Sequence, residues 1–355
     1  MHPSGATTCR DPGVTANEKE AALDAECAGV AAPNANIQIA SCQDTGVTFG
    51  GLIAANNLIA SANPPKIMSL SYGVCESQNG ATANAAFVSA WQTAAAKGIS
   101  VFVAAGDEGA TSCDAGANYA TQGISVSGFA STPYNVAVGG TDFRDTVDGS
   151  NASYWNGSNG AGRSTAKSYV PEIPWNYSCA SSILYTFKGY ADGISYCNTA
   201  VAYNNNFVST SAASGGASNY SSKPSWQAGV LGIVNDGMRD LPDVSLFAAN
   251  GLYGHAMLYC MSDTANGGVT CDFTNTSDAL RCAAQRRWRH LVFNTGAGRY
   301  PGLDQSGHWA ELGQHEHALL RTRSQTIRQR RESEYRQRQQ LQRQHRQCHR
   351  QKLRI

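Results

Sequence analysis

The sequence predicts an α/β protein in which helices flank a parallel sheet. Short apolar runs rich in β-branched residues alternate with longer, helix-compatible stretches along the first part of the chain. This alternation is typical of parallel strands joined by helical crossovers. The expected strands are Asn36 to Ala40, Ile67 to Tyr72, Ile99 to Ala105 and Asn135 to Val138, and the expected helices are Glu18 to Ala32, Gly50 to Ala62 and Ala81 to Lys97.

The first predicted helix carries an acidic pair. Glu20 and Asp24 lie four residues apart in an Ala-rich segment, so a helix there places both carboxylates on one face. Like charges in this arrangement oppose each other, yet many surface helices carry such a pair without any catalytic role. From this spacing alone, a solvated helix surface and a functional acidic pair both remain open.

The third predicted strand ends next to a carboxylate. The apolar run Ile99 to Ala105 is followed by Gly106 and Asp107, which puts Asp107 at the carboxyl end of a buried parallel strand. Ligands and catalytic groups gather at that edge of α/β sheets. Asp107 is therefore a candidate functional residue, and a turn or a helix cap at this position is the alternative.

The following part of the chain is predicted to be less regular. From Arg144 to Ser222 it is rich in Gly, Ser, Asn and Tyr, which predicts long surface connections. The segment Leu241 to Ala248 then restores a core-like apolar pattern. We therefore expect residues 1–280 to form one domain with long loops rather than two domains.

Charge and composition change abruptly near Leu280. The 355 residues have a formal net charge of +1, but residues 1–280 hold 10 Lys and Arg against 21 Asp and Glu, a net charge of −11. Residues 281–355 hold 17 against 5, a net charge of +12. This second part is dominated by Arg, Gln and His and has too few apolar residues to bury a core, so we expect a disordered, basic tail.

The cysteine content favours an exported protein. Eleven cysteines are more than a reducing cytosol usually allows, and the spacing suggests three pairs without fixing their connectivity. These pairs are Cys260 with Cys271, Cys179 with Cys197, and Cys75 with Cys113. No CxxC zinc motif, membrane-length apolar run or signal-peptide pattern after Met1 occurs. We expect a secreted monomer outside membranes, and a start internal to a longer gene is left open.

A histidine-based serine hydrolase has little support in this sequence. Only His2 and His255 precede residue 280, and no GxSxG nucleophile motif occurs. A carboxylate can replace the histidine as base. In that case Glu20 would accept a serine proton, Asp24 would orient Glu20, and a protonated Asp107 would donate a hydrogen bond to a tetrahedral oxyanion. Such a site works best in acid.

Several motifs resemble the sedolisin family of serine-carboxyl peptidases, across most of residues 15–280. Each motif is weak by itself, but their order and approximate spacing together are specific. The motifs are Glu20 to Asp24, Ala32 to Ile37, Ile67 to Gly73, Val103 to Asp107, Ser131 to Thr141, Lys223 to Gln227 and Leu241 to Ser245.

The resemblance implies a subtilisin-like parallel sheet flanked by helices, incomplete at its carboxyl end, and a serine-type endopeptidase acting on peptides in acid. It implies Glu20 as the general base, Asp24 as its partner and Asp107 as the acid on the oxyanion side. It also implies that Ser71-Tyr72-Gly73 lines the substrate cleft. Calcium is expected from the family as well, but the stretch that would bind it has no counterpart in residues 304–355.

Two departures from the family predict that the polypeptide as written is inactive. A large amino-terminal prosegment is expected before the Glu20 helix, and the chain has only a short stretch there. The Gly-Thr-Ser motif that carries the family's nucleophile occurs nowhere in the chain. Ser214 and Ser218 flank Gly215-Gly216 in a run more typical of a flexible loop, so neither is assigned as the nucleophile.

A change of reading frame accounts for both the missing motif and the charge break. Trp288 to Phe293 can be encoded by TGG-CGG-CAC-CTC-GTT-TTC, and the same nucleotides read one position later give Gly-Gly-Thr-Ser-Phe. With synonymous codons, Asn294 to Leu303 re-read as Ser-Thr-Pro-Ala-Leu-Ala-Gly-Ile-Gln-Ala-Leu, which resembles the family's nucleophile helix. We therefore interpret residues 281–355 as an out-of-frame tail.

Two other functions remain open. The chain could be a catalytically dead scaffold that keeps the peptide-binding cleft along Ser71-Tyr72-Gly73. The tail from Arg321 to Arg354 is basic enough to bind nucleic-acid phosphates by counterion release, but it has no recognised fold or interleaved aromatic residues. A protein or peptide substrate is therefore the partner we expect.

Overall fold

The structure is a computed structural model that describes residues 1–272 except 16, 161–163 and 267. Its main sheet has four parallel strands in the order β1 (Ile67–Leu70), β2 (Ser100–Ala104), β3 (Val136–Phe143) and β7 (Val244–Phe247). The short strand β4 (Glu172–Pro174) pairs antiparallel with the end of β3. A separate antiparallel pair is formed by β5 (Gly216–Ser222) and β6 (Met238–Leu241).

Three long helices precede or join the first strands, and four short ones follow β3. The long helices are α1 (Glu18–Ala31), α2 (Gly50–Ala60) and α3 (Glu76–Ala96), and the short ones are α4 (Asn151–Tyr154), α5 (Ser182–Phe187), α6 (Gly193–Cys197) and α7 (Ala200–Asn204). Helix α3 bends at Gly80, whose φ of +79° is open to glycine without strain. The predicted α/β class and the three long helices are confirmed.

The main core lies between the sheet and helices α2 and α3. Leu52 and Ile59 of α2 pack with Phe87 and Trp91 of α3 against apolar side chains of β2. The Trp91 indole N–H donates to the Phe129 carbonyl at 3.0 Å, so its polar atom is satisfied inside the core. In the described residues, α1 contributes nothing to this core cluster.

The strand expected at Asn36 to Ala40 is wrong, because this segment pairs with the amino-terminal residues instead. The Met1 amino group donates to the Ile39 carbonyl at 2.7 Å, and the Ser41 N–H donates to the Met1 carbonyl at 3.1 Å. The Cys9–Cys42 disulfide joins the same two segments. Within the described residues, β1 therefore ends the main sheet.

The expectation of mere surface connections from Arg144 to Ser222 is also wrong. Leu184, Tyr177 and Tyr196 are fully buried and belong to a second hydrophobic cluster. The aromatic residues that are scattered among Gly, Ser and Asn in this region each bury a large apolar surface, which builds a core without a regular sequence period. The region packs around β4 and the short helices α5 to α7.

The disulfides confirm the three suggested pairs. Bonds join Cys75 to Cys113, Cys179 to Cys197 and Cys260 to Cys271, in addition to the Cys9–Cys42 bond. None of the helices in the described part of the chain combines the length and hydropathy that a bilayer-spanning segment requires. Residues 281–355, the predicted tail, lie outside the described residues, and the division of the chain at residue 280 stays a prediction.

Candidate active site

One face of α1 collects the acidic pair. Glu20, Leu23, Asp24 and Cys27 follow the helical repeat of three and four residues, and the structure buries Glu20, Leu23 and Cys27. A buried carboxylate loses its hydration, which disfavours its charged form. The pair is therefore not a solvated surface pattern, whereas its catalytic role stays a prediction.

The surroundings of Asp24 favour the protonated form of its carboxyl group. Burial raises the pKa of Asp24 to about 7; a hydrogen bond with the Ser71 side chain works in the opposite direction, and the nearby charge of Glu20 raises the pKa further. Burial, together with the nearby charges of Asp24, Glu26 and Glu20, raises the pKa of the Cys27 thiol to about 12. A thiol with that pKa is protonated and inert at neutral pH.

Ser71 links the helix to the sheet. It is buried and directly follows β1, so its hydrogen bond with Asp24 fixes the acidic face of α1 at the carboxyl end of that strand. Tyr72 turns towards the main core, with its ring centroid 5.4 Å from that of Phe49. Gly73 is exposed, and a Cβ there would lie 2.8 Å from Ser127 Oγ, so a side chain at this position would require Ser127 to move.

Asp107 lies at the end of the neighbouring strand. Because β1 and β2 are parallel with Leu70 opposite Val103, the residues after Leu70 and those after Ala104 emerge at the same sheet edge. Asp107 is partly buried there, three residues beyond β2. The structure thus brings Asp24, through Ser71, and Asp107 to the ends of two adjacent strands.

The loop at Asp107 is held by residues that the sequence analysis did not assign. The Asp107 N–H donates to Glu108 Oε2 at 2.9 Å, and the Glu108 N–H donates to Ser214 Oγ at 2.8 Å. Gly106 has a φ of +116°, and a Cβ there would lie 3.0 Å from Ser214 Oγ. The glycine directly before Asp107 is a sequence signal that another group packs closely against the backbone there. No local pattern predicts that this group is Ser214.

The serines and histidine that were weighed as catalytic residues have structural contacts. Ser214 is buried beside the Asp107 loop, and the buried hydroxyl of Ser218 donates to the buried carboxylate of Glu76 at the start of α3. His255 Nε2 lies 3.0 Å from an Asp145 carboxylate oxygen, and its ring stacks on Trp155. These contacts agree with leaving Ser214, Ser218 and His255 out of the catalytic assignment.

A buried ion pair connects to two of the motifs near the end of the described region. The Arg239 guanidinium is fully buried, donates to Asp243 Oδ2 at 2.5 Å and lies over the Trp226 ring at 4.7 Å. Asp243 in turn accepts the Ala137 N–H of β3 at 2.7 Å. Trp226 and Asp243 belong to the Lys223 to Gln227 and Leu241 to Ser245 motifs, which therefore tie the chain before β7 to the middle of the sheet.

The residues described here do not offer a metal site. No group of three or more His, Cys, Asp or Glu side chains among them could hold a metal ion. Calcium thus remains an expectation from the resemblance, and no chemical step at this site is assigned to it.

Comparisons with known proteins show what this chain is similar to. No protein-family model matches the chain. A curated protein, sedolisin from Pseudomonas sp. (strain 101), is 31% identical over 220 residues, which cover 61% of this chain and 30% of that protein. A solved structure of Pseudomonas sedolisin, a serine-carboxyl proteinase complexed with two molecules of pseudo-iodotyrostatin, is similar with a TM-score of 0.51 at 27% identity. That match covers 72% of this chain and 59% of the solved one, so the chain spans only part of each relative.

Proposed function

The chain belongs to the sedolisin family and shares its subtilisin-like α/β fold, and from this premise we propose that it carries the acidic half of a serine-carboxyl endopeptidase site. In this proposal Glu20 is the general base, Asp24 is its partner and Asp107 is the acid on the oxyanion side. The polypeptide as written is inactive, because its reading frame lacks the Gly-Thr-Ser nucleophile motif.

The placement of Glu20 and Asp24 on the buried face of α1, with Asp24 hydrogen-bonded to Ser71, is the observation that carries the proposal. Because burial and the charge of Glu20 raise the pKa of Asp24 to about 7, Asp24 keeps its proton in acid. A neutral Asp24 does not oppose ionisation of Glu20, so Glu20 is free to act as the carboxylate that takes the proton of an attacking serine. Two adjacent carboxyl groups with different protonation states divide the roles of base and partner between them.

Asp107 would act on the other side of the scissile bond. In acid, a protonated carboxyl at this position donates a hydrogen bond to the oxygen that becomes negative as the serine attacks. Its place at the end of β2, next to the end of β1, supports this role, since both strand ends meet at one edge. The exposure of Gly73 beside that edge supports it as a contact for an extended peptide substrate.

The decisive experiment restores the reading frame upstream of Trp288 and measures endopeptidase activity near pH 4. The restored protein should cleave peptides, and replacing the serine of its Gly-Thr-Ser motif by alanine should lower kcat by about 10³-fold or more, since only residual catalysis survives without the nucleophile. The alanine variant controls for a contaminating peptidase. A restored protein that folds but remains inactive contradicts the proposal.

A peptide-binding scaffold is the second candidate, favoured by the missing nucleophile motif. For this function the chain as written must bind peptides without cleaving them. Titration of the chain with pseudo-iodotyrostatin, the compound bound in the solved relative, measures this directly. Binding by a restored chain that stays inactive would favour the scaffold. Nucleic-acid binding by the tail stays a prediction, tested by comparing salt-dependent DNA binding with and without residues 281–355.

A further inference from the structure

After β7 the described part of the chain returns to α1 and forms a disulfide loop. A disulfide bond joins Cys260 to Cys271, which lie 11 residues apart in the sequence. Within the loop, the Val269 N–H donates to the Met261 carbonyl at 2.9 Å, and the Gly268 N–H donates to the Asp263 carbonyl at 2.7 Å. The loop is therefore folded on itself and cross-linked, which allows it to act as one unit against its neighbour.

That neighbour is the acidic face of α1. Tyr259 and Met261 pack against Leu23 and Cys27 in a separate hydrophobic cluster, and each of the four is at most 8% exposed. Leu23 and Cys27 alternate with Glu20 and Asp24 on the same helix face. The segment leading into the disulfide loop, rather than the main core, therefore supplies the apolar contact for this face in the described structure.

A charged hydrogen bond adds to the apolar contact. Both carboxylate oxygens of Glu26 accept the Cys260 N–H, at 3.2 and 3.1 Å. Burial raises the pKa of Glu26, and this hydrogen bond opposes the rise. Hydrogen bonds to ionised acceptors are stronger than neutral ones, so the Glu26 contact ties the last turns of α1 to a residue that is also held by a disulfide.

We infer that the Cys260–Cys271 loop and Glu26 position α1, so that Asp24 stays within hydrogen-bond distance of Ser71. Glu26 is a positioning residue, because its contact is with the loop and not with the reacting groups. The inference rests on the proposed function for its biological meaning, whereas the positioning itself can be measured in the chain as written. Neither measurement below requires peptide hydrolysis, so failure of the positioning and failure of the peptidase proposal are separate results.

The first test removes the disulfide and follows amide hydrogen exchange in α1. Exchange across residues 18–31 should accelerate about tenfold or more in the double variant Cys260→Ser/Cys271→Ser. The matched control, Cys179→Ser/Cys197→Ser, removes a disulfide from the second hydrophobic cluster and should change exchange in α1 by less than about twofold, because independent opening units respond separately. Equal acceleration of α1 in both variants, or none in either, overturns the inference.

The second test distinguishes an effect on the position of α1 from an effect of the Glu26 charge. It can also be made if the disulfide variant does not fold. Glu26→Ala removes the acceptor of the Cys260 N–H, whereas Glu26→Gln removes the charge but keeps an amide oxygen at the same place. Carbon NMR titration of Asp24 should give a lower pKa in Glu26→Ala, since a loosened helix hydrates Asp24, while Glu26→Gln keeps most of the wild-type behaviour. Identical shifts in both variants indicate an effect of charge alone and contradict positioning.

Discussion

Two largely buried carboxylates, Asp24 and Asp243, differ in what surrounds them. Asp243 meets the guanidinium of Arg239 and a backbone N–H of β3, whereas Asp24 meets the hydroxyl of Ser71 and a second acidic residue, Glu20. Burial raises the pKa of both, but the charge of Arg239 opposes the rise at Asp243, and the charge of Glu20 adds to it at Asp24. Removing the partner of a buried, paired carboxylate is strongly destabilising, whereas a carboxylate placed beside another acid itself costs stability and is a candidate for proton transfer.

The largest expected effect comes from breaking the ion pair. Arg239→Met should lower the free energy of unfolding by about 3–5 kcal/mol, because it leaves the carboxylate of Asp243 buried without its cation. Urea denaturation at pH 7 measures the change. The double variant Arg239→Met/Asp243→Asn is the control and should recover part of the loss. A loss below about 1 kcal/mol would show that this pair does not hold the chain before β7 in place.

Replacing Asp24 should instead increase the free energy of unfolding. Its pKa rises from 3.8 in the unfolded chain to about 7 in the folded one, so between these values the folded state binds more protons and stability falls as the pH rises. Asp24→Asn removes this penalty. It should increase the free energy of unfolding by about 2–4 kcal/mol at pH 8 and change it little at pH 3, given about 1.4 kcal/mol for each pKa unit.

The comparison is between wild type and Asp24→Asn at each pH, because other groups titrate in the same range. Burial also raises the pKa of Asp142 to about 7, and its contribution cancels between the two proteins. A difference that does not vary between pH 3 and pH 8 contradicts the assignment of the shift to Asp24.

The smallest expected effects come from replacing the two neighbours of Asp24, Glu20 and Ser71. Glu20→Gln removes a negative charge and should lower the pKa of Asp24, whereas Ser71→Ala removes a hydrogen bond to its charged form and should raise it. Ser71→Ala should also cost about 0.5–1.5 kcal/mol of stability at pH 8. NMR titration of the Asp24 carboxyl measures both shifts. Shifts of the same sign in the two variants would mean that one of these contacts is assigned wrongly.

The sequence predicts those parts of the fold that follow a regular period. The acidic face of α1 and the strand leading to Asp107 could be read from residue spacing alone. The sequence could not show that Asn36 to Ala40 stays outside the sheet. This segment is held against the amino-terminal residues by the Cys9–Cys42 bond and by hydrogen bonds to Met1, and its local pattern does not encode those contacts. The aromatic core beyond Arg144 has no period, since its rings come from short helices and loops.

The candidate site shows the same division. The residue types and order at Glu20, Asp24 and Asp107 were sufficient to nominate them. The hydrogen bond between Asp24 and Ser71, the support of the Asp107 loop by Ser214 and the contact of Glu26 with Cys260 join residues far apart in sequence. Such contacts follow from the packing of whole elements, and no local pattern encodes them.

The most direct test of the account asks whether the acids of α1 and Asp107 act as one catalytic unit. In the frame-restored protein, kcat near pH 4 should fall by about 10²–10⁴-fold in Glu20→Gln and in Asp107→Asn. The kcat of the double variant should be little lower than that of the less active single variant. When two residues act as one unit, removing the first already removes most of the contribution of the second. Losses that multiply in the double variant, or a single variant that retains full activity, would contradict the claim that these acids form one active site.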